Sequence, residues 1–145
     1  MALTGTYSRN LDEKQRLAVP KRLRDEFTED RLTSLYVAPG TESSLALYSP
    51  TAFEKLAERL AQTSTSRTNI RNYLRLFYAR AEKVDLDKQG RIRIPDRLIE
   101  FASMAKDVVL LGVHDHVEIW DKKLWEEFLT QQSPDFDEMA SQVFE

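Results

Sequence analysis

The sequence predicts an α+β chain in which two copies of one small, strand-rich repeat form an intramolecular pseudo-dimer with a single core. The first observation is that residues 11–23 recur 75 positions later, at 86–98, with six identical residues in thirteen. The second is that the same order of predicted strands and helices follows each copy. The third is size, because a repeat of roughly 60–70 residues with four short strands is marginally stable alone. The two repeats are therefore expected to share one core.

The first half of each repeat predicts a strand, a tight turn and a second strand. The turns lie at 12–16 and 87–91, and after each turn apolar and polar residues alternate, which is the period of a half-buried strand. The alternating apolar residues are Leu17 and Val19 in the first repeat, and Ile92 and Ile94 in the second. Pro20 and Pro95 end these strands and suit the first position of a short helix.

The second half of each repeat predicts a two-stranded hairpin followed by an amphipathic helix. The hairpin strands are expected at 35–38 and 44–48, and at 108–111 and 116–120. A second match, at an offset of 72, equates residues 36–40 with 108–112, which implies a three-residue deletion in the second repeat. Ser49 and Asp121 are suitable N-caps for the helices that follow.

A connecting segment lies between the repeats, and a tail follows them. We assign residues 5–62 to the first repeat, 63–80 to a linker and connecting helix, 81–132 to the second repeat and 133–145 to an acidic C-terminal tail. The connecting helix has apolar residues at helical spacing and is expected to pack the two halves together. The tail is expected to form a short helix of its own.

The formal net charge of −3 conceals a gradient along the chain. Residues 1–106 hold nineteen basic and fourteen acidic residues, a net charge of +5, whereas residues 107–145 hold two and ten, a net charge of −8. An acidic average argues against nucleic acid as a partner, but this average reflects the C-terminal end alone. The charge balance therefore leaves nucleic-acid binding open for the rest of the chain.

Several chemistries are not expected from this composition. The lack of cysteine excludes disulfides, thiolate nucleophiles and cysteine-ligated metals, and no apolar run approaches the roughly 20 residues of a membrane helix. His114 and His116 have a metal-like spacing, but without a third ligand they are better explained as turn residues. Because phosphate-loop and nucleophile motifs are also missing, we predict a non-enzymatic cytoplasmic protein without metal, cofactor, small-molecule substrate or membrane contact.

The two tight turns are the strongest candidates for a functional role, because both repeats keep an Asp-x-x-x-Arg pattern. The pattern residues are Asp12 and Arg16, and Asp87 and Arg91. Two compatible interpretations are open: the pair caps the turn, or the Asp orients the planar Arg fork toward phosphate or guanine. Other basic residues crowd these turns, namely Lys14, Lys21, Arg22, Arg24, Lys88, Arg93 and Arg97. A further set, Arg67, Arg71 and Arg75, is more typical of a solvated helix face.

At these turns the sequence resembles the AbrB-type swapped-hairpin DNA-binding domain. The matching segments read LDEKQRLAVP at 11–20 and LDKQGRIRIP at 86–95. Two such units in a chain of this length resemble the MraZ family of bacterial transcriptional regulators, and the segments 5–7, 81–87 and 117–120 fit that family too. The resemblance implies tandem AbrB-like β-barrel repeats with flanking amphipathic helices.

The resemblance also implies a function. Members of the family bind direct repeats in their own promoter, usually repress the division and cell-wall gene cluster, and assemble into closed rings that present these turns on one surface. Double-stranded DNA is then the expected partner, with nucleoid association and with Asp12 and Asp87 as orienting residues. The predicted DNA contacts are Arg16, Arg91, Lys14, Lys88, Lys21, Arg22, Arg24 and Arg93.

One departure from the family pattern lies in the first turn, where Gln15 stands at the position of Gly90. If this position requires a left-handed backbone, Gln15 costs roughly 1–2 kcal/mol and the first turn is expected to differ in shape from the second.

Two other function classes also fit the chain. One is a structural or protein-interaction module whose turns are ion-paired caps. The other is an antitoxin-like regulator, against which the duplication argues.

Overall fold

Strands and helices follow one another in nearly the same order in both repeats. The structure is a computed structural model that describes residues 2–27 and 31–145. The first repeat contains β1 (Thr6–Asn10), β2 (Arg16–Ala18), α1 (Lys21–Glu26), β3 (Ser34–Pro39), β4 (Leu45–Tyr48) and α2 (Pro50–Ala61). After α3 (Thr68–Arg80), the second repeat contains β5 (Glu82–Asp85), β6 (Arg91–Arg93), α4 (Asp96–Phe101), β7 (Asp107–Val113), β8 (His116–Asp121) and α5 (Lys122–Gln132). A 3₁₀ turn (Ser133–Asp135) and α6 (Phe136–Val143) form the tail.

Each repeat contributes a strand to the hairpin of the other. The main sheet has six strands in the order β1-β7-β8-β4-β3-β5, and all of its neighbours are antiparallel. Strand β1 of the first repeat pairs with β7 of the second, and β5 of the second pairs with β3 of the first. Strands β4 and β8 meet at the centre. This exchange of strands confirms the α+β pseudo-dimer predicted from the repeat.

Strands β2 and β6 form a separate two-stranded antiparallel ribbon. A pseudo-two-fold axis that relates the two repeats passes through this ribbon. Leu17 pairs with Ile92, its counterpart in the other repeat, so this central pair marks the axis. Leu17 is fully buried and Ile92 is 1% exposed. The central pair of the ribbon therefore points into the core, and the residues before and after it point outward.

The hairpins align one residue differently from the sequence match. Tyr7 pairs with Leu110, and its counterpart Glu82 pairs with Val37. Leu110 is thus the counterpart of Val37, whereas the sequence offset equated Val37 with Val109. The reason is that side chains alternate along a strand: Val37 and Leu110 both face the main core, and Val109 points to the other side. The hairpin loop of the second repeat is one residue shorter, so only part of the deletion lies before the hairpin.

One hydrophobic core joins the ribbon to the inner face of the sheet and draws on both repeats. Its largest fully buried side chains are Leu17, Leu23, Leu35, Leu45, Leu47, Ile92, Ile94, Leu98, Leu110 and Ile119, together with Val37 and Val108. Burying an apolar side chain of this size stabilises a fold by about 1.5–3 kcal/mol. Because these side chains come from both repeats, neither half has a complete core without the other.

The connecting helix α3 packs mainly against the first repeat. Its buried Phe77 belongs to a second cluster on the outer face of the sheet, with Phe53 of α2 and Tyr48 of β4. These partners all belong to the first repeat. One contact with the second repeat is made by Arg80, whose guanidinium lies 5.5 Å from the ring centroid of Phe101. The helix is thus mainly a cover for the first half.

Both predicted N-caps are confirmed. The Ser49 hydroxyl accepts a hydrogen bond from the backbone N–H of Ala52 at 3.1 Å. The Asp121 carboxylate accepts one from Lys123 at 3.2 Å and another from Ala105 at 2.9 Å, which ties β8 to the loop before β7. None of the helices in the described ranges is long and apolar enough to cross a membrane.

Candidate nucleic-acid interface

The first turn is built around the carboxylate of Asp12. Its Oδ1 accepts hydrogen bonds from the backbone N–H of Lys14 at 2.9 Å and of Arg16 at 2.8 Å. Its Oδ2 accepts a hydrogen bond from Nε of Arg16 at 2.7 Å. The Gln15 N–H closes the turn by donating to the Asp12 carbonyl at 2.9 Å. A single carboxylate therefore both caps the turn and fixes the direction of the guanidinium.

The second turn repeats this arrangement atom for atom. Oδ1 of Asp87 accepts from the backbone N–H of Gln89 and of Arg91, both at 2.9 Å, and Oδ2 accepts from Nε of Arg91 at 2.8 Å. The Gly90 N–H donates to the Asp87 carbonyl at 3.0 Å. In both turns, the carboxylate accepts a hydrogen bond from Nε of the Arg, so the two terminal NH₂ groups are not used in this bond.

These hydrogen bonds lower the pKa of both carboxyl groups. For Asp12 the largest cause is the backbone N–H of Arg16, and for Asp87 it is the backbone N–H of Arg91. Burial opposes the shift, and the bond from the Arg side chain adds to it. Both carboxylates are therefore ionised at neutral pH, and each holds its Arg with a charge-assisted hydrogen bond.

The expected difference in shape between the two turns is wrong. Gln15 has φ 62° and Gly90 has φ 76°, so both lie in the left-handed region, and the hydrogen bonds match as described. Gln15 adopts the strained backbone that glycine adopts freely, because the surrounding bonds over-determine it. Its side-chain oxygen is buried without a hydrogen-bond partner among the described residues.

Arg24, predicted to contact DNA, also makes contacts inside the fold. Its Nε donates to the carbonyl of Val19 at 3.0 Å. Its guanidinium also lies over Gly90, where an added Cβ would be 2.6 Å from Cζ of Arg24. Gly90 is therefore favoured mainly by its left-handed φ, and its missing Cβ also leaves room for the flexible end of Arg24.

The variant Gly90→Ala is expected to lower the free energy of unfolding by about 1–2 kcal/mol, because alanine is strained at positive φ and its Cβ displaces Arg24. Urea denaturation measures the loss. The matched control is Gln15→Ala, where both residues carry a Cβ at the same φ, so the change is expected to stay within about 0.5 kcal/mol. A Gly90→Ala protein as stable as the parent chain would contradict this account of the turn.

The outward side of the β2–β6 ribbon carries a cluster of arginines. Because the central pair faces the core, the residues on either side of it face outward. Arg16 lies opposite Arg93, and Ala18 lies opposite Arg91. Nη1 of Arg91 is also 3.9 Å from Oδ2 of Asp12, so the two turns share a charged contact across the axis. We call these four strand residues, Arg16, Ala18, Arg91 and Arg93, the ribbon face.

The ribbon face is not symmetric, a point that the sequence reasoning missed. Ala18 stands 75 residues before Arg93 and occupies the equivalent position on the other strand. The β6 strand thus presents two arginines, whereas β2 presents one. The alignment of the two repeats already contained this signal, because it places a small residue, Ala18, at the same position as an arginine, Arg93.

The remaining predicted contacts are dispersed around the ribbon. Lys14 and Lys88 are exposed at the tips of the two turns, and Arg22 is exposed on α1. Lys21 is also exposed, but its Nζ lies 2.8 Å from Oδ2 of Asp25 as an i,i+4 ion pair. Such a pair is worth little in water, so Lys21 can exchange Asp25 for another anion.

Two further basic residues singled out in the sequence, Arg97 and Arg71, form contacts away from the turns. Nη2 of Arg97 lies 3.4 Å from Oε1 of Glu82. On α3, Arg71 donates to the carbonyl of Thr65 at 2.7 Å and so closes the linker before the helix. These contacts favour the interpretation of the α3 arginines as surface residues of a helix.

The two histidines lie in and after the β7–β8 turn, as predicted. His114 has φ 65°. Nδ1 of His116 lies 2.8 Å from Oδ1 of Asp115, and its Nε2 lies 3.8 Å from Oε2 of Glu118. Glu118 first, and then Asp115, raise the pKa of His116 against the opposing effect of burial. Within the ranges that the structure describes, no three His, Cys, Asp or Glu residues are placed to hold a metal ion.

Comparisons with known proteins give the same picture of two related halves. The family model described as "MraZ protein, putative antitoxin-like" matches the chain twice, over residues 2–76 and 77–145. The boundary between the two matches falls inside α3, and the second match extends through the C-terminal tail.

Curated relatives match the chain over nearly all of its length. A protein named transcriptional regulator MraZ from Mesoplasma florum is 34% identical over 145 residues, covering 100% of this chain and 97% of the relative. Proteins with the same name from Finegoldia magna (35% identity; 92% and 91% covered) and Lactobacillus helveticus (34% identity; 96% and 94% covered) are similarly related.

Proposed function

Because the chain belongs to the MraZ family, whose relatives above are named transcriptional regulators, we propose that it regulates transcription by binding DNA sequence-specifically through its ribbon face. The observation that carries this proposal is the outward, arginine-rich side of the β2–β6 ribbon. The major groove of B-DNA admits a two-stranded β-ribbon, and Arg is the side chain that most often recognises guanine there.

The proposed roles divide between bases and phosphates. Arg16, Arg91 and Arg93 project from the strands and are the base-reading candidates. Asp12 and Asp87 orient the first two of these. A carboxylate bound to Nε leaves the terminal NH₂ groups of Arg16 and Arg91 to reach a guanine edge, once Nη1 of Arg91 gives up its 3.9 Å contact with Oδ2 of Asp12.

The phosphate contacts are proposed to flank the ribbon. Lys14 and Lys88 at the turn tips and Arg22 and Lys21 on α1 are exposed and placed to neutralise phosphates. Arg24 has a supporting role beside the second turn, because its Nε donates to the Val19 carbonyl and its guanidinium lies over Gly90.

A single ribbon offers too few contacts for tight binding, so assembly is part of the proposal. A closed ring of copies would place several ribbon faces on successive direct repeats and raise affinity through multivalency. We propose that such sites lie in the chain's own promoter and that occupancy represses the division and cell-wall gene cluster, with the protein associated with the nucleoid. No catalysis and no cofactor are involved.

An electrophoretic shift assay with the DNA upstream of the gene tests this function. Binding is expected to be tighter than to random DNA of equal length, and to fall steeply between 50 and 200 mM salt, by about 10³–10⁵-fold if roughly 6–10 phosphates are contacted. A flat salt response would remove the electrostatic part of the proposal. Failure to bind either DNA would favour the rival protein-interaction module.

A further inference from the structure

Two recesses of similar size lie beside the two turns. The recess beside the second turn has a volume of about 650 Å³ and is lined by that turn, by α1 and by residues 31–33. The recess beside the first turn has a volume of about 600 Å³ and is lined mainly by that turn, by α4 and by residues 104–106. We call them the second-turn recess and the first-turn recess.

The pseudo-two-fold axis relates the two recesses to each other. The backbone N–H of Leu86 donates to the carbonyl of Thr33 at 2.9 Å, and that of Leu11 donates to the carbonyl of Lys106 at the same distance. Equivalent residues are therefore 75 positions apart in the turns and short helices, and 73 apart in the segments that precede the hairpins. Because the backbone frame is shared, side chains at matching positions can be compared directly.

The two recesses differ in charge at their matching positions. The second-turn recess contains three cationic side chains, Arg24, Arg31 and Lys88. Their counterparts in the first-turn recess carry no positive charge and are, in the same order, Ile99, Met104 and Glu13. Among its described lining residues, the first-turn recess has one cation, Lys106, which replaces Thr33. The axis thus relates a basic recess to one that is apolar and acidic.

The two carboxylates of the second-turn recess are paired with cations outside it. Oδ2 of Asp25 lies 2.8 Å from Nζ of Lys21, and Oδ2 of Asp87 accepts from Nε of Arg91 at 2.8 Å. Arg24 uses its Nε for the Val19 carbonyl, so this bond leaves its two terminal NH₂ groups unused. The three cations of the recess are therefore left to bind an anion from solution.

The arginines of the ribbon face are concentrated at the opposite end. In the strand pair next to the first turn, Arg16 lies opposite Arg93. In the pair next to the second turn, Arg91 lies opposite Ala18. Two base-reading candidates thus lie at the end where the recess is acidic, and one lies at the end where the recess is basic.

We propose that the second-turn recess binds a phosphate of the DNA backbone and that the first-turn recess does not, so that each chain lies on its site in one orientation. Arg24, Arg31 and Lys88 hold the phosphate, because guanidinium and ammonium groups form charge-assisted hydrogen bonds to its oxygens. Phosphate contacts fix the register and orientation of a protein on a duplex. A fixed orientation suits direct repeats, since inverted repeats require alternate copies to reverse. This inference rests on the proposed function and deepens it.

The salt dependence of binding to a duplex with one site, cut from the DNA upstream of the gene, provides the first test. Arg31→Ala and Lys88→Ala are each expected to reduce the slope of log affinity against log salt concentration by about 1. The matched control is Lys106→Ala, the cation of the first-turn recess, which should leave the slope unchanged. Circular dichroism confirms that each variant is folded. The inference is overturned if neither recess variant changes the slope, or if Lys106→Ala changes it equally.

Single methylphosphonate groups, which replace a charged phosphate by a neutral one, identify the phosphate that is bound. At one position of the duplex, neutralisation should weaken binding of the parent chain but cause no further loss in the double variant Arg31→Ala with Lys88→Ala. That position should lie on one flank of the site. Coupling at mirrored positions on both flanks contradicts the single orientation. Coupling at no position means that the recess accepts at most a free anion, which overturns the proposal.

An iron–EDTA cleavage probe measures the orientation independently. The chain has no cysteine, so Gln89→Cys, at the exposed tip of the second turn, provides a unique attachment site. Cleavage is expected on one side of the site, and equal cleavage on both sides contradicts the proposal.

Failure of this inference and failure of the proposed function give different results. If the parent chain binds neither the specific nor a random duplex, the proposed function is wrong and the phosphate site falls with it. If the parent chain binds specifically and with salt dependence, but Arg31→Ala and Lys88→Ala behave like Lys106→Ala, only the phosphate site is wrong.

Discussion

Replacing Arg91 with Ala is expected to weaken binding to the specific DNA site by about 1–3 kcal/mol, or about 5- to 150-fold, and to relax the sequence preference. Arg91 is 29% exposed, projects from the ribbon face and is held by Asp87 at 2.8 Å, so its fork is already oriented before DNA arrives. An oriented bidentate donor loses little rotamer freedom on binding guanine. The expected loss is therefore mainly one of specific contacts.

Fluorescence anisotropy with specific and random duplexes at fixed salt measures this effect. The matched comparison is Arg16→Ala, the same residue in the other turn, which should relax preference at different base positions of the site. Lys88→Ala is the control for phosphate contact and should weaken both duplexes about equally. If Arg91→Ala also weakens both duplexes equally, its role is limited to phosphate binding.

The variant Leu17→Ala is expected to lower the free energy of unfolding by about 2–5 kcal/mol. Leu17 is fully buried, pairs with Ile92 on the pseudo-two-fold axis and contributes to the core shared by both repeats. Truncating its side chain leaves a cavity between the two repeats, and the surrounding residues cannot fill it because both repeats are fixed by the shared core. Because the ribbon is only three residue pairs long, disturbing its centre should also loosen both turns.

Chemical denaturation followed by tryptophan fluorescence measures the Leu17→Ala effect, with Arg93→Ala as the control from the outward side of the same ribbon. Arg93 is exposed, so its replacement should change stability by no more than about 0.5 kcal/mol. A loss below about 1 kcal/mol for Leu17→Ala would show that the ribbon is peripheral to the core.

Most of the fold could be predicted from the sequence because its signals are local. Alternation at Leu17 and Val19, the N-cap at Ser49 and the Asp-x-x-x-Arg pattern depend on residues only a few positions apart. The repeat and the family resemblance predicted a shared core, but the pairing of β1 with β7 and of β5 with β3 joins residues about a hundred and about fifty positions apart and leaves no local pattern. The packing of α3 mainly against the first repeat leaves no local pattern either, because an apolar face does not say which half it covers.

The candidate site shows the same division. The capping of each turn by Asp12 or Asp87 follows from spacing and is present in the structure. The internal role of Arg24 does not, because it depends on Gly90 of the other repeat, reached only through the pairing of β2 with β6. Whether a basic residue faces outward or inward is a tertiary property that composition cannot supply.

The strand exchange within one chain has an evolutionary consequence. Two separate copies of a single repeat would be obliged to carry identical residues at equivalent positions. Fusion removes that obligation, and the two repeats differ at equivalent positions: Gln15 stands where the second repeat has Gly90, and Ala18 stands where it has Arg93. A once-symmetric assembly has thereby acquired a direction, and each mutation can now tune one end of the ribbon without altering the other.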